Sequence, residues 1–226
     1  MLTQAHPATT TSAVRIPVGD VTVDADLTIP ERPIGVVLFA HGSGSSRHSP
    51  RNRAVAAELN DAGFATLLLD LLTPSEERED MSTGAFRFDI GLLAQRLMGA
   101  TDWIRAGEAM AHLPIGYFGA STGAAAALIA AARRRTMVRA VVSRGGRPDL
   151  AGVALADVRT PTLLIVGGDD PAVIDLNRSA LWHLRCVKQL EIVPHASHLF
   201  EEPGTLERVA RLARQWFERR LPESIL

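Results

Sequence analysis

The chain has 226 residues, 46% of them hydrophobic and 22% charged, with a formal net charge of −1. That size suits one large domain with a sizeable core, and the balanced charge gives no overall pull toward nucleic acid or an anionic membrane surface. Cys186 is the only cysteine, which excludes an internal disulfide and a cysteine-built zinc site and agrees with a reducing cytoplasm.

The opening MLTQAHPATTTSAV lacks a basic start followed by an apolar run, so no secretory signal is expected. No apolar run reaches the roughly eighteen residues of a membrane span. Residues 1–12 are polar and threonine-rich and read as a loose N-terminus before one folded domain over 13–226. Residues 14–18 and 21–29 alternate apolar and polar side chains around Gly19-Asp20, the pattern of an antiparallel hairpin with one wet face. From Gly35 the character changes. GVVLFA (35–40), ATLLLD (65–70), IGYFGA (115–120), VRAVVS (138–143) and TLLIVG (162–167) are continuous apolar runs, as expected of strands buried on both faces. KQLEIV (188–193) is a weaker sixth.

Helical patterns lie between these runs. Ile90, Leu93, Ala94, Leu97, Thr101 and Ile104 share one face, as do Leu206, Val209, Leu212, Ala213, Trp216 and Phe217. AAAALIAAARRR (124–135) is apolar nearly all round and predicts a buried helix, with Arg133, Arg134 and Arg135 favouring its negative end. A further helix starts at Pro171. Strands alternating with helices predict a single α/β domain. Its sheet is mostly parallel with helices on both faces, and the antiparallel hairpin lies at its first edge. Ligands in such folds bind at the carboxyl ends of the strands.

Those ends carry a chemical set. His41-Gly42-Ser43-Gly44 follows the first buried run, Asp70 and a long loop (71–88) the second, Ser121 the third, Asp169-Asp170 the fifth, and His195 and His198 the sixth. Gly119-Ala120-Ser121-Thr122-Gly123 fits G-x-S-x-G, in which a serine sits on a sharp strand-to-helix turn. A serine hydroxyl needs a base to attack at neutral pH, histidine is the usual base, and a carboxylate fixes its tautomer. The order serine, aspartate, histidine is the one expected around such a turn. The residues alone leave alternatives. Ser121 could only cap its helix, Asp170 could cap the helix begun by Pro171, Asp169 could be the acid, and His195 competes with His198.

The segments VLFAHGSG, GASTGAAAAL, PTLLIVGGDDP and HASHLFEEPG, spread from residue 35 to 204, resemble the α/β-hydrolase superfamily. Within it the chain is similar to the small, capless dienelactone-hydrolase-like serine hydrolases. The resemblance implies Ser121 as nucleophile, His198 as base and Asp170 as acid, with an oxyanion hole from the backbone N–H groups of Ser43 and Thr122. It implies an acyl-enzyme route on a small ester, lactone or related acyl compound, without cofactor or metal. Two departures stand out. Dienelactone hydrolases proper carry a cysteine at the elbow and a glutamate in the loop after the first buried strand, where this chain has Ser121 and HGSGSSRHS. Only GGRPDLAGVALADVR separates the fourth and fifth buried strands, so no large cap is expected, and the site is expected to be open or covered by loop 71–88.

His41, Arg144 and Arg147 are candidates to meet a substrate, the arginines through a carboxylate; structural roles for all three compete with that reading. Trp103, Trp182, Trp216 and Tyr117 read as packing. Two other classes of function stay open. One is a hydrolase fold that binds without catalysis. The other is a nucleotide site built on the glycine loop 42–47 with Asp70 toward a ribose, although Arg47 stands where a third glycine is needed. Assembly with further copies of the chain is left open.

Overall fold

Two kinds of strand build one sheet in the computed structural model, which describes residues 9–222. β1 (Thr9–Val18) and β2 (Val21–Pro30) form the antiparallel hairpin, in register from Thr9 opposite Pro30 to Val18 opposite Val21. β3 (Gly35–Ala40), β4 (Phe64–Leu69), β5 (Ile115–Ala120) and β7 (Thr162–Gly167) are buried at every residue, as their unbroken apolar runs predict. β6 (Val138–Arg144) and the half-exposed β8 (Lys188–Val193) complete the sheet. The order is β1-β2-β4-β3-β5-β6-β7-β8, with β3 to β8 all parallel and β2 antiparallel to β4. The chain leaves β3 toward β4 and returns to β3's other side as β5. The loops after β3 and β5 therefore diverge, and a ligand crevice belongs at that switch point.

The helices are α1 (Pro50–Asp61), α2 (Pro74–Thr83), α3 (Ile90–Ala106), α4 (Thr122–Arg133), α5 (Pro171–His183) and α6 (Thr205–Arg220). α1 and α6 close one face over Val37, Phe39, Phe118 and Val142. α3 and α4 close the other over Leu38, Leu67, Tyr117 and Val141. A 3₁₀ segment, Pro148–Asp157, is all that lies between β6 and β7, so there is no large cap. Among the described residues no helix is long and apolar enough to cross a membrane.

Four expectations are corrected. Residues 9–12, read as loose, are the first rungs of β1, because Thr9 to Ser12 pair with Pro30 to Leu27 along an edge whose side chains face water; residues 1–8 lie outside the described residues. Loop 71–88 contains α2, whose residues are nearly all polar. α4 ends at Arg133, so Arg134 turns away to Asp102 (2.7 Å), while Arg135 reaches back to the Ala132 carbonyl (3.0 Å). Trp182 is 87% exposed, unlike the buried Trp216 and Tyr117.

Candidate active site

Ser121 stands between β5 and α4 with φ 50° and ψ −121°, a conformation L-residues rarely adopt. Such a residue costs on the order of 1–3 kcal/mol and persists only where its surroundings over-determine it. Here they do. The Ser121 N–H donates to the Arg144 carbonyl (3.2 Å), and the Ser121 carbonyl accepts from the N–H groups of Ala124 (3.1 Å) and Arg147 (3.0 Å). The turn also needs its glycines. A Cβ on Gly119 would lie 2.5 Å from the Ala124 Cα, and one on Gly123 would lie 2.2 Å from the Ala40 carbonyl oxygen. The alanines of α4 let that helix lie buried behind the turn. Ser121 occupies the helix N-cap position, yet its side chain makes no cap hydrogen bond, so the hydroxyl is not spent on the helix.

Asp170 shows the same separation of position and use. It is the N-cap of α5, with Pro171 in the first turn, but its carboxylate does not cap. It accepts instead from His198 Nδ1 at 2.6 Å. An ionised carboxylate only accepts, so in the neutral imidazole this contact puts the proton on Nδ1 and the acceptor at Nε2. Asp169 and His195 are both exposed, and His195 (φ 59°) is a turn residue. The loops bearing Asp170 and His198 are zipped by backbone bonds, Asp169 N–H to the Ala196 carbonyl (3.0 Å) and Gly168 N–H to the Val193 carbonyl (2.8 Å). Glu202 pins the histidine loop by accepting from the Ser197 N–H at 2.9 Å, and that bond holds its carboxyl below the ordinary range. His198 packs on the same segment that grips Ser121: a Cβ on Gly145 would be 3.6 Å from His198 Cε1.

On the other side of Ser121, Ser43 and Thr122 meet through their hydroxyls, Oγ to Oγ1 at 3.1 Å. Among the described residues the backbone N–H of neither donates to an acceptor. Both line a cavity of about 140 Å³, walled by Leu72, Met81 and Leu93 and by the charged Asp70, Glu77, Asp80 and Arg87. α2 and the turn after it thus form one wall. Ser121 lies just outside the lining, behind Gly42, on which a Cβ would sit 2.9 Å from Ser121 Cβ.

Of the three candidate substrate contacts, His41 lines the cavity with its ring bonded elsewhere, and Arg144 and Arg147 lie outside the lining. His41 is buried, and both ring nitrogens are committed. Nε2 accepts from the Leu71 N–H (3.0 Å), so the proton sits on Nδ1 and is donated to the Gly42 carbonyl (2.9 Å). Burial lowers its pKa, keeping it the neutral strut that ties the β3 loop to the β4 loop. Arg147 forks onto Asp149 (2.9 and 2.7 Å). Arg144 is buried on the α1 side with Asn52 Oδ1 at 3.5 Å, and among the described residues its Nε and Nη1 find no acceptor. Burial, then the like charge of Arg51, pushes its pKa down to about 10. Asp70 is also taken: it accepts from the Arg47 N–H (2.7 Å) and pairs with the Arg47 guanidinium, so it is not free to meet a ribose.

Asp80, Arg87 and Glu202 were not legible as site residues. Asp80 and Arg87 shape the turn beneath the cavity, and the signal that could have led to them is Thr73-Pro74-Ser75-Glu76. That is a capping box with proline in the first turn, and both of its reciprocal bonds form.

Comparison with known proteins identifies the family. The model of the Dienelactone hydrolase family matches residues 23–220. A dienelactone hydrolase from Anabaena variabilis, solved as a crystal structure, is 58% identical with a TM-score of 0.93, covering 96% of this chain and 100% of that one. A lidless α/β serine hydrolase from Xanthomonas campestris, 21% identical over 95% of this chain and 96% of that one, shares the fold with a TM-score of 0.75. Two Mycobacterium tuberculosis proteins provisionally named as phosphoribosyl transferases are 59% identical over 213 residues, which is 94% of this chain but 47% of theirs. The chain thus spans about half the length of these curated relatives. The family match extends from β2 to the end of α6 and takes in every site segment described above, so the chain belongs to the dienelactone hydrolase family.

Proposed function

We propose that the enzyme hydrolyses a small ester, lactone or related acyl compound through Ser121, His198 and Asp170. One observation carries the reading. Asp170 Oδ2 holds His198 Nδ1 at 2.6 Å on the sheet edge where Ser121 stands on its left-handed turn. In this mechanism His198 Nε2 takes the Ser121 proton as Oγ attacks the carbonyl carbon. The Ser43 and Thr122 N–H groups receive the oxyanion, and His198 returns the proton to the leaving group. Water, deprotonated by the same nitrogen, then attacks the acyl carbon, and His198 passes that proton to Ser121 Oγ as the acid leaves. Apart from the hydrolytic water, every catalytic group these steps use comes from the chain itself. The cavity of about 140 Å³ supports a small acyl or alkoxy group, since an engineered protein cavity of about 150 Å³ takes up benzene.

The phosphoribosyl transferase name belongs to proteins about twice as long as this match, and nothing in the site favours that chemistry. A fluorophosphonate probe should label Ser121, and Ser121→Ala should abolish labelling and p-nitrophenyl ester turnover. Wild-type turnover by Ser121→Ala would overturn the mechanism.

A further inference from the structure

We propose that Asp80 and Arg87, through the hydroxyls of Ser43 and Thr122, position the oxyanion hole of the hydrolase reaction proposed above, on which this inference rests. The chain of contacts begins at Asp80, whose carboxylate is buried. Its Oδ1 accepts from the N–H groups of Phe86 and Arg87, both at 2.8 Å, and its Oδ2 accepts from Arg87 Nε at 2.7 Å. The Asp80 carbonyl accepts from Arg87 Nη2 at 2.6 Å. Arg87 is therefore clamped at its backbone N–H and through its side chain. Its carbonyl then accepts from Ser43 Oγ at 3.3 Å. A serine hydroxyl has one proton to give, so with that proton on the Arg87 carbonyl it is Thr122 Oγ1 that donates across the 3.1 Å contact to Ser43 Oγ. The order is Thr122 to Ser43 to the Arg87 carbonyl, and hydrogen bonds in such a series polarise one another.

The two residues joined at its end supply the two backbone N–H groups assigned to the oxyanion. One sits on the β3 loop and the other on the first residue of α4, and no other hydrogen bond between described side chains spans them. An oxyanion hole works because its donors are fixed before charge develops. The Ser43–Thr122 contact fixes the spacing of the donors, and the Asp80 turn fixes the contact. α2 lines the cavity and also carries Asp80 in its last turn, so the wall that meets substrate and the device that aims the donors are one element.

The test is a double-mutant cycle on ester turnover, using Thr122→Val, Thr122→Ser and Asp80→Asn, with thermal melts to confirm folding. Thr122→Val keeps the shape and removes the hydroxyl. It should lower kcat about tenfold with KM within about twofold, short of the about 10²–10³ that loss of a donor itself costs. Thr122→Ser should restore kcat. Asp80→Asn should lower kcat by a similar factor, and the double variant should lose no more than either alone, because both break one chain. Wild-type kcat in Thr122→Val, an additive loss of about a hundredfold in the double variant, or an effect of Asp80→Asn on KM alone would overturn the proposal. If Asp80→Asn does not fold, the Thr122→Val and Thr122→Ser pair, with Ser43→Ala expected to match Thr122→Val, decides it. A wild type that neither turns over esters nor takes the fluorophosphonate at Ser121 would overturn the hydrolase reading and this proposal together. An active wild type with additive variants overturns this proposal alone.

Discussion

Asp80 and Arg144 are both buried charges beside the elbow, 4% and 7% exposed, and the protein treats them in opposite ways. The Asp80 carboxylate accepts three hydrogen bonds and is paired with Arg87. Arg144 has one long contact to a neutral amide, two nitrogens that find no acceptor among the described residues, and another arginine as its charged neighbour. A buried ion is tolerable when its bonds replace those of water and costly when they do not. The cavity flank of Ser121 is therefore a place where polar groups set geometry, and damage there should appear in rate. The α1 flank holds an uncompensated charge at the expense of stability, and change there should appear in melting temperature. Arg144 still reaches the elbow, but only through its backbone carbonyl.

A third carboxylate sets the scale for rate. Asp170→Asn should lower kcat about 10⁴-fold, as loss of the carboxylate does in a serine protease triad, while Asp169→Asn should cost far less. Steady-state turnover of one ester by both variants checks this, and the reverse ranking would move the acid to Asp169. Next in size is Arg144→Met. A guanidinium pKa lowered to about 10 is a destabilisation of about 3 kcal/mol while the group stays charged. Removing the charge recovers at most that much, less the lost packing and the Asn52 contact. The melting temperature should rise by a few degrees, given about 2–4 °C per kcal/mol at this chain length, with ester turnover within about twofold of wild type. A lower melting temperature would show that the guanidinium has a partner in solution.

The contrast also explains what could be read in advance. The buried strands announce themselves as unbroken apolar runs, because both of their faces are covered by helices. Ser121, Asp170 and His198 were legible as candidates because each follows its own strand, so position along the chain already states position on the sheet edge; the preference over Asp169 and His195 came from the family resemblance. α2 was not legible because it has almost no buried face. Its one buried residue is Asp80, and a polar helix held by caps and ion pairs shows no hydrophobic period. Arg96 is the other half of that hold: it lies on the buried face of α3 and bonds Glu76 at 2.6 Å, a contact across twenty residues that no local pattern displays. Arg144 looked as able as Arg147 to meet a substrate, since both stand at the carboxyl end of β6 in SRGGR. Only the alternation of side chains across the sheet, which sends Arg144 under α1, separates them.

The smallest expected effect sharpens the comparison from the side of Asp80. Burial alone would push its carboxyl up, but the hydrogen bonds from the Arg87 and Phe86 N–H groups, then the Arg87 guanidinium, outweigh burial and leave it below the ordinary range. A group whose folded pKa is depressed takes up protons more readily when unfolded. Its contribution to stability is therefore complete above the unfolded pKa of about 3.9 and is lost as pH falls from there through the folded value. Glu202 contributes in the same sense through its bond from the Ser197 N–H. Melting temperature measured from pH 6 downward should thus fall more steeply below about pH 4 in the wild type than in Asp80→Asn, which cannot titrate there. Glu202→Gln should flatten the same limb. Arg144→Met should shift the whole curve upward without changing that slope, because its group does not titrate in this range. Equal acid slopes in wild type and Asp80→Asn would mean that the Asp80 carboxylate is no better held in the fold than in the unfolded chain.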